Sequence, residues 1–193
     1  EPGDACTSLG STLAWKLISE TRVDDGSVGI YSHKIGNQYW LVGGACNTGG
    51  NILRAFFTNN ELQSLTETIE KENMFELNLF GVRDADFFKS NAGGDFGLEV
   101  NDAVKKCESE RETCANDALF LCKIFSSIAK AEKRCYENAN AMGASVKLKK
   151  VYTSGGGAAN VAWCKMRSSC LSSDNPGSTI DVCASEYTEA SYG

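Results

Sequence analysis

The fold is decided by residues 151–163, which read VYTSGGGAANVAW. A β-branched run ends at three consecutive glycines, and small residues then lead into an apolar segment. This pattern predicts a strand, a glycine turn and the N-terminus of a helix. Glycine lets backbone N–H groups approach an anion closely, and a helix N-terminus favours negative charge. The stretch therefore indicates a place where a phosphate or a nucleotide can bind.

Two other segments combine glycine with hydroxyl or amide side chains, SLGST at 8–12 and GGACNTGG at 43–50. Neither these nor residues 154–160 form a P-loop, since no Gly-Lys-Ser/Thr follows, and none spells G-x-G-x-x-G. Each loop alone is more commonly a turn with a helix cap. Three such loops beside predicted strands together favour a nucleotide site.

The composition sets the broad class of protein. The chain has 193 residues, 42% of them hydrophobic, which is enough for one domain with a buried core. Its net charge of −6 argues against nucleic acid or an anionic membrane surface as the main partner. The longest apolar run, 119–125, contains a lysine and is far shorter than the ~20 residues of a membrane span. No targeting segment is visible, so we expect that a leader was removed or that these residues belong to a longer chain.

Nine cysteines are scattered along the chain without a C-x-x-C pair, and His33 is the single histidine. Zinc-finger and redox-motif interpretations therefore fail. We expect reduced, mostly buried thiols and a reducing compartment. Cys107, Cys114 and Cys122 are spaced by seven and eight residues. They share one face if the segment is a single helix, and they can pair if it is a helical hairpin.

The first third of the chain predicts a small antiparallel meander followed by two helices. Strands are expected at 13–18, 29–35 and 38–42, with Gly43 and Gly44 ending the third. Asn47 and Thr48 are then expected to cap a helix that carries Ile52, Leu53, Phe56 and Phe57 on one face. A further helix opens at residues 59–60.

The rest of the chain alternates helix and strand. Residues 73–105 lack clean periodicity and predict irregular structure pinned by phenylalanines. Apolar residues at helical spacing predict a long helix over 115–142, with Glu132 interrupting its apolar stripe and Gly143 ending it. A strand at 146–153, a helix at 158–172, a short strand at 180–182 and a helix from Thr188 follow. This order predicts an α/β or α+β domain with one sheet.

The amino-acid sequences of several segments resemble those of one protein family. GDACTSLGSTL at 3–13, GIYSH at 29–33 and YWLVGGACNTGG at 39–50 resemble the C-terminal lobe of FGGY carbohydrate kinases, nearest to the D-ribulose or xylulose kinase-like proteins of plants and cyanobacteria. YTSGGGAAN at 152–160 resembles the family's adenosine motif, and TEASYG at 188–193 resembles the segment that opens its final helix. The resemblance is loosest across 73–115.

The resemblance implies a single actin-like, ribonuclease-H-type lobe over residues 1–193. It would have a mixed sheet with an N-terminal antiparallel meander and packed helices, and a divergent irregular insert at about 73–115. The implied nucleotide contacts come from the second phosphate loop, the approach to the ATP phosphates and the adenosine motif. These positions are Gly10, Ser11, Thr12, Gly49, Gly155, Gly156, Gly157 and Asn160.

The same resemblance limits the expected chemistry. In the family the catalytic aspartate precedes the second phosphate loop and the sugar contacts lie mainly in another lobe, so Asp4 is not assigned as a base. We expect no catalytic residue and no metal ligand in this chain, and the isolated chain should be inactive. Ser126 and Ser127 also replace the family's usual Glu-Gly.

Three functional hypotheses follow. The preferred one is a non-catalytic scaffold subunit that binds other protein subunits and no nucleotide, in a plastid photosynthetic complex or otherwise in the cytoplasm. The alternative is the ATP-binding half of an active pentulose-type sugar kinase that uses ATP–Mg²⁺. The third is an unrelated enzyme with Ser11 or a cysteine as nucleophile and His33 as the only histidine base.

Overall fold

The computed structural model describes residues 1–74, 82, 85–88, 99–173 and 179–185. The predicted final helix from Thr188 lies outside these residues. Within them the chain forms six strands and five helices. The strands are β1 (Asp4–Leu9), β2 (Leu13–Ser19), β3 (Tyr31–Ile35), β4 (Tyr39–Cys46), β5 (Lys150–Ser154) and β6 (Asp181–Ala184). The helices are α1 (Gly50–Phe56), α2 (Asn59–Lys71), α3 (Val100–Arg111), α4 (Asp117–Ala139) and α5 (Val161–Ser172).

All six strands belong to one mixed sheet in the order β3-β4-β2-β1-β5-β6. Strands β1 to β4 pair antiparallel, as predicted, but the predicted meander order was wrong, because β2 lies beside β4 and not beside β3. Strand β5 pairs parallel with β1 and with β6, as expected when helices form the crossover connections. The sheet and its packed helices confirm the predicted α/β fold class.

One face of the sheet carries the core. Strands β1 and β2 alternate strictly between buried and half-buried residues, as the period-2 geometry of a strand requires. The buried set of β2 includes Leu13, Trp15 and Leu17. Trp15 meets the ring of Tyr136 on α4 edge to face, with centroids 5.6 Å apart. This contact joins the centre of the sheet to the central helix.

Helix α4 is the central helix of this core. It has 23 residues, and Asn116 caps it by accepting a hydrogen bond from the Leu119 N–H. Gly143, with φ of 110°, lies in the π-type turn that ends it, as predicted. The expectation that Glu132 breaks the buried stripe was wrong, because Glu132 is itself buried and the stripe continues in the buried Cys135, Tyr136 and Ala139.

Glu132 is buried because it forms an ion pair with Arg167 of α5. The Arg167 Nε and Nη2 donate to the two Glu132 carboxylate oxygens at 2.6 and 2.7 Å. Thr7 of β1 donates to the same carboxylate at 2.5 Å, and Arg167 Nη1 donates to Thr153 of β5 at 2.7 Å. Thr7 and Thr153 are register partners, so two helices and the neighbouring parallel strands β1 and β5 meet at one polar cluster.

The buried cluster keeps its charges because each member has a partner. Burial alone would lower the pKa of Arg167, but the Glu132 carboxylate more than offsets this, so its pKa lies above the ordinary value. Burial and the charge of Glu132 raise the pKa of Tyr136 well above its usual range, although Thr7 bonds to its hydroxyl at 2.7 Å. Arg167 therefore remains a cation and Tyr136 a neutral phenol.

The sequence predictions missed β1 and ended β4 too early. Strand β4 continues through Gly43 and Gly44 to Cys46. A Cβ at Gly43 would collide with the backbone of Trp15 and the stem of Lys16 on the neighbouring strand. A Cβ at Gly44 would lie 2.7 Å from the carbonyl oxygen of Gly29. These glycines mark close backbone approach inside a strand and not its end.

Four element boundaries also differ from the predictions. Helix α1 has Gly49 as its N-cap, while the hydroxyl of Thr48 contacts the Cys46 sulfur at 2.9 Å. Helix α3 occupies part of the segment predicted as irregular. Strand β5 begins at Lys150 and α5 at Val161, because residues 156–159 form a 3₁₀ turn between them.

No disulfide links any of the nine cysteines, all of which lie in the described part of the chain. Helices α3 and α4 form a helical hairpin, with Cys107 on α3 and Cys122 on α4. Burial raises the pKa of both thiols to about 12, with nearby glutamates adding to the effect at Cys107. Mostly buried thiols were expected, but five of the nine are half-buried, and four are buried: Cys46, Cys107, Cys122 and Cys135.

None of the described helices combines the length and the apolar character that a membrane crossing needs.

Replacing Glu132 by alanine should lower the free energy of unfolding by about 3–5 kcal/mol, because it leaves Arg167 buried without a counter-charge. Urea denaturation followed by circular dichroism measures the change. The matched control is Glu137→Ala on the same helix, whose exposed carboxylate lies 3.5 Å from Lys133 and should cost about 0.5 kcal/mol or less. Equal losses for the two variants would contradict the central role of the buried pair.

Candidate functional site

A cavity of about 520 Å³ lies between the turn that joins β1 to β2, helices α1 and α2, and the glycine loop at 155–160. Its volume is within the range of small-molecule sites. Three sequence-distant parts of the chain meet here because β1 and β5 are parallel neighbours whose ends lie side by side. Ser8 pairs with Ser154, so the β1–β2 turn and the glycine loop leave the sheet at the same edge.

The glycine loop turns sharply from β5 into α5. Gly155 has φ of 81°, a conformation that favours glycine, and residues Gly156–Ala159 form a 3₁₀ turn. Asn160 then caps α5 by accepting a hydrogen bond from the Trp163 N–H at 2.9 Å. The predicted strand, glycine turn and helix N-terminus are all present.

The glycines around the cavity serve two different purposes. A Cβ at Gly49 would lie 2.8 Å from the Ser11 carbonyl oxygen, and one at Gly155 would lie 2.8 Å from the Leu9 carbonyl oxygen. These glycines let neighbouring backbones pack closely. A Cβ at Gly10 or Gly156 would meet nothing within 4 Å. Those two positions therefore border open space.

The β1–β2 turn is fastened to the start of α1. The N–H groups of Gly50 and Asn51 donate to the carbonyl oxygens of Gly10 and Ser11 at 2.8 and 3.0 Å. These two N–H groups at the start of α1 are thus already satisfied by the turn. The contact fixes the position of the turn without using the Gly10 side that faces open space.

Asn160 is held by the protein on both sides of its amide. Its oxygen caps α5, and its Nδ2 donates to the Thr66 hydroxyl of α2 at 3.1 Å. One turn further along α2, Glu70 accepts the Ala162 N–H at 3.1 Å. Helix α2 therefore closes one wall of the cavity against the N-terminus of α5.

Helix α2 contributes most of the lining that the sequence predictions missed. Its capping box at Thr58 and Glu61 fixes where the helix begins. The lining residues recur at helical spacing on one face, which is the signal that the apolar interpretation of this helix overlooked. They are Asn59, Leu62, Gln63, Thr66, Glu67 and Glu70.

The cavity has an apolar wall and an uneven charge distribution. Phe125 of α4 stacks on Trp163 of α5, with ring centroids 4.7 Å apart and planes 13° apart, and both rings line the cavity. Among the described residues that line it, Arg54 is the only cation, while Glu67 and Glu70 are anions. Arg54 Nη1 donates to the Ser11 hydroxyl at 3.3 Å.

The structure brings only part of the predicted nucleotide contacts to the cavity. Gly10, Gly156, Gly157 and Asn160 line it, and Ser11 lies beside it through Arg54. Thr12, Gly49 and Gly155 are not in the lining, although the last two hold the surrounding backbones together.

A serine–histidine catalytic pair is contradicted by the sheet register. His33 pairs with Leu41, whereas Ser11 lies two residues before Leu13, the first residue of β2, which pairs with Cys46. Five residues of β4 separate the two levels, which is about 17 Å along a strand. Within the described ranges, no three His, Cys, Asp or Glu side chains form a group that could hold a metal ion.

Solved sugar-kinase structures share this fold. The chain superposes on xylulose kinase from Bifidobacterium adolescentis with a TM-score of 0.63 and 16% identity, covering 98% of this chain and 35% of that one. Xylulose kinase from Rhodospirillum rubrum superposes with a TM-score of 0.63 and 14% identity, covering 96% of this chain and 36% of that one. Glycerol kinase from Plasmodium falciparum, solved with ADP, superposes with a TM-score of 0.57 and 14% identity, covering 98% of this chain and 36% of that one.

The chain thus spans about a third of the length of the structures that it matches. No protein-family profile matches the sequence. At the level of the fold, the superpositions confirm the resemblance to one lobe of the FGGY carbohydrate kinases, which have an actin-like ATPase fold.

Glycines that pack against a neighbouring backbone and glycines that border open space should respond differently to substitution by alanine. Gly155→Ala should lower the free energy of unfolding by about 1–3 kcal/mol, because it combines a positive φ with a clash against the Leu9 carbonyl oxygen. Gly156→Ala should change it by about 0.5 kcal/mol or less, since its Cβ enters open space. Urea denaturation of the two variants provides the test, and a larger loss for Gly156→Ala would refute the distinction.

Proposed function

We propose that this chain is the nucleotide-binding lobe of a sugar-kinase-type protein and that its cavity takes the adenosine part of ATP or ADP. One observation carries the proposal: the two turns that resemble the family's phosphate loop and adenosine motif lie side by side and line a single cavity. Sequence-distant motifs converge there because β1 and β5 are parallel neighbours.

The open glycines support this function. Gly10 and Gly156 leave backbone surface accessible at the cavity, as close approach of a phosphate or ribose requires. Val161 lines the cavity with an exposed side chain and supplies apolar contact for a purine, while Phe125 and Trp163 are buried and stack on each other. The solved match with ADP is a glycerol kinase, and a nucleotide in the same lobe of this chain is part of the proposal.

The proposed contribution of this lobe is to bind and orient the nucleotide. Phosphoryl transfer to a sugar hydroxyl needs a carboxylate base and Mg²⁺ beside the phosphates. We assign neither to this lobe, because in the family that it resembles the catalytic aspartate precedes the second phosphate loop. An ATP-dependent reaction on a pentulose-type sugar is therefore proposed for the complete two-lobed protein, with the sugar bound mainly outside this lobe.

A non-catalytic interaction subunit is the second candidate function. It is favoured by the closure of the cavity wall, because Asn160 and the Ala162 N–H are already satisfied by Thr66 and Glu70 of α2. Such a wall is stable without a ligand. A scaffold role, protein partners and a plastid photosynthetic complex remain predictions of this second candidate.

The two functions predict opposite responses to ATP–Mg²⁺. If the cavity binds nucleotide, a concentration of about 100 times Kd should stabilise the chain by about 2.7 kcal/mol, or about 5–10 °C in Tm. Gly156→Val should abolish this shift, because its side chain enters the cavity. Gly26→Val is the matched control, since Gly26 also borders open space but lies outside the cavity.

Differential scanning fluorimetry with ATP–Mg²⁺ from micromolar to ten-millimolar levels provides the measurement. A folded chain with no shift at any concentration would refute the nucleotide proposal and support the interaction subunit. An equal shift in the wild type and in Gly156→Val would place the nucleotide outside this cavity.

A further inference from the structure

The charged side chains of the cavity are separated along its length. Arg54 lies on α1 beside the β1–β2 turn, to which its guanidinium is bonded through Ser11. Glu70 lies at the opposite end, bonded to the backbone of Ala162 at the start of α5. The lining face of α2 runs between these ends from Asn59 to Glu70, which is about 16 Å at 1.5 Å per residue.

The two ends also differ in shape and polarity. The Arg54 end contains the open backbone of Gly10, where an anion can approach without a side chain in the way. The other end carries the carboxylates of Glu67 and Glu70, and Val161 at the start of α5 adds an exposed apolar side chain to the lining there. A polyphosphate is repelled by the carboxylates and attracted by the guanidinium, while a flat ring gains apolar contact from Val161.

The two carboxylates are not equivalent. Glu70 already accepts a backbone N–H of α5. Among the described residues, Glu67 accepts a hydrogen bond only from the side-chain amide of Gln63, one helical turn away at 3.2 Å. A carboxylate has about four acceptor sites, so Glu67 retains capacity for a donor on the ligand. The exocyclic amino group of adenine is such a donor, whereas the corresponding keto oxygen of hypoxanthine is not.

We infer that Arg54 and Glu67 orient the nucleotide and set its specificity, with Arg54 binding the phosphates and Glu67 accepting a hydrogen bond from the amino group of the base. This inference rests on the proposed nucleotide function and assigns two residues that no sequence motif indicated. Arg54 makes affinity depend on the number of phosphates. Glu67 makes it depend on the 6-amino group of the purine.

The test is isothermal titration calorimetry of the 193-residue chain with ATP, adenosine and inosine triphosphate. The wild type should bind ATP roughly tenfold more tightly than adenosine and roughly tenfold more tightly than inosine triphosphate, as expected for hydrogen bonds to charged groups. Arg54→Gln should weaken ATP binding roughly tenfold and leave adenosine within about twofold. Glu67→Gln should remove the preference for ATP over inosine triphosphate, because an amide also donates to a keto oxygen.

Two charge-matched controls lie on α2 or at its end, outside the cavity lining. Lys71→Gln removes a positive charge and Glu72→Gln a negative one, and both residues are exposed. Neither should change any of the three affinities by more than about twofold. Control variants that reproduce the Arg54 or Glu67 effects would overturn the inference, since net charge alone would then explain them.

The outcomes separate this inference from the function on which it rests. If the wild type binds adenosine and ATP but Arg54→Gln and Glu67→Gln leave all affinities unchanged, the assignment of the two residues is refuted and the nucleotide site stands. If the wild type binds none of the three ligands, both are refuted. The inference is supported if Arg54→Gln selectively loses affinity for ATP and Glu67→Gln loses the preference for ATP over inosine triphosphate.

Discussion

The structure depends on one buried ion pair, between Glu132 of α4 and Arg167 of α5. Burying a guanidinium and a carboxylate is costly unless their hydrogen-bonding groups are satisfied, and here Thr7 and Thr153 complete the set. Because these threonines are register partners on β1 and β5, the pair fixes both helices over the parallel junction of the sheet. A shift of either strand by one residue would turn its threonine to the opposite face of the sheet.

The same junction positions the cavity. Strands β1 and β5 leave the sheet at one edge, so the turn after β1 and the glycine loop after β5 become neighbours. Helix α5, fixed by Arg167, begins at that loop and presents Trp163 against Phe125 of α4. The ion pair that orders the core therefore also orders the wall of the candidate site, although Arg167 lies one turn after Trp163 on α5. Core packing and the shape of the candidate site are coupled through this one helix.

The glycines of these motifs have different structural roles, which the sequence alone does not distinguish. Gly155 allows a left-handed turn and a close approach to Leu9, while Gly156 next to it borders open space. Gly49 similarly serves packing against the β1–β2 turn. A motif inherited from a nucleotide-binding fold thus includes positions that the fold itself requires, and those would persist even if binding were lost. Gly10 and Gly156, in contrast, leave backbone accessible at the cavity.

The sequence by itself determined the order of most elements and the fold class, because strand alternation, helical periodicity and the glycine punctuation are local properties. It missed β1, whose Thr7 and Cys6 carry no strong apolar signal, and it misjudged Glu132 because its partner lies 35 residues away on another helix. It indicated the glycine turns of the site but not Arg54 or the lining face of α2. Those contributions were decided by tertiary structure, since a cavity wall and a buried charge exist only once distant segments have packed together.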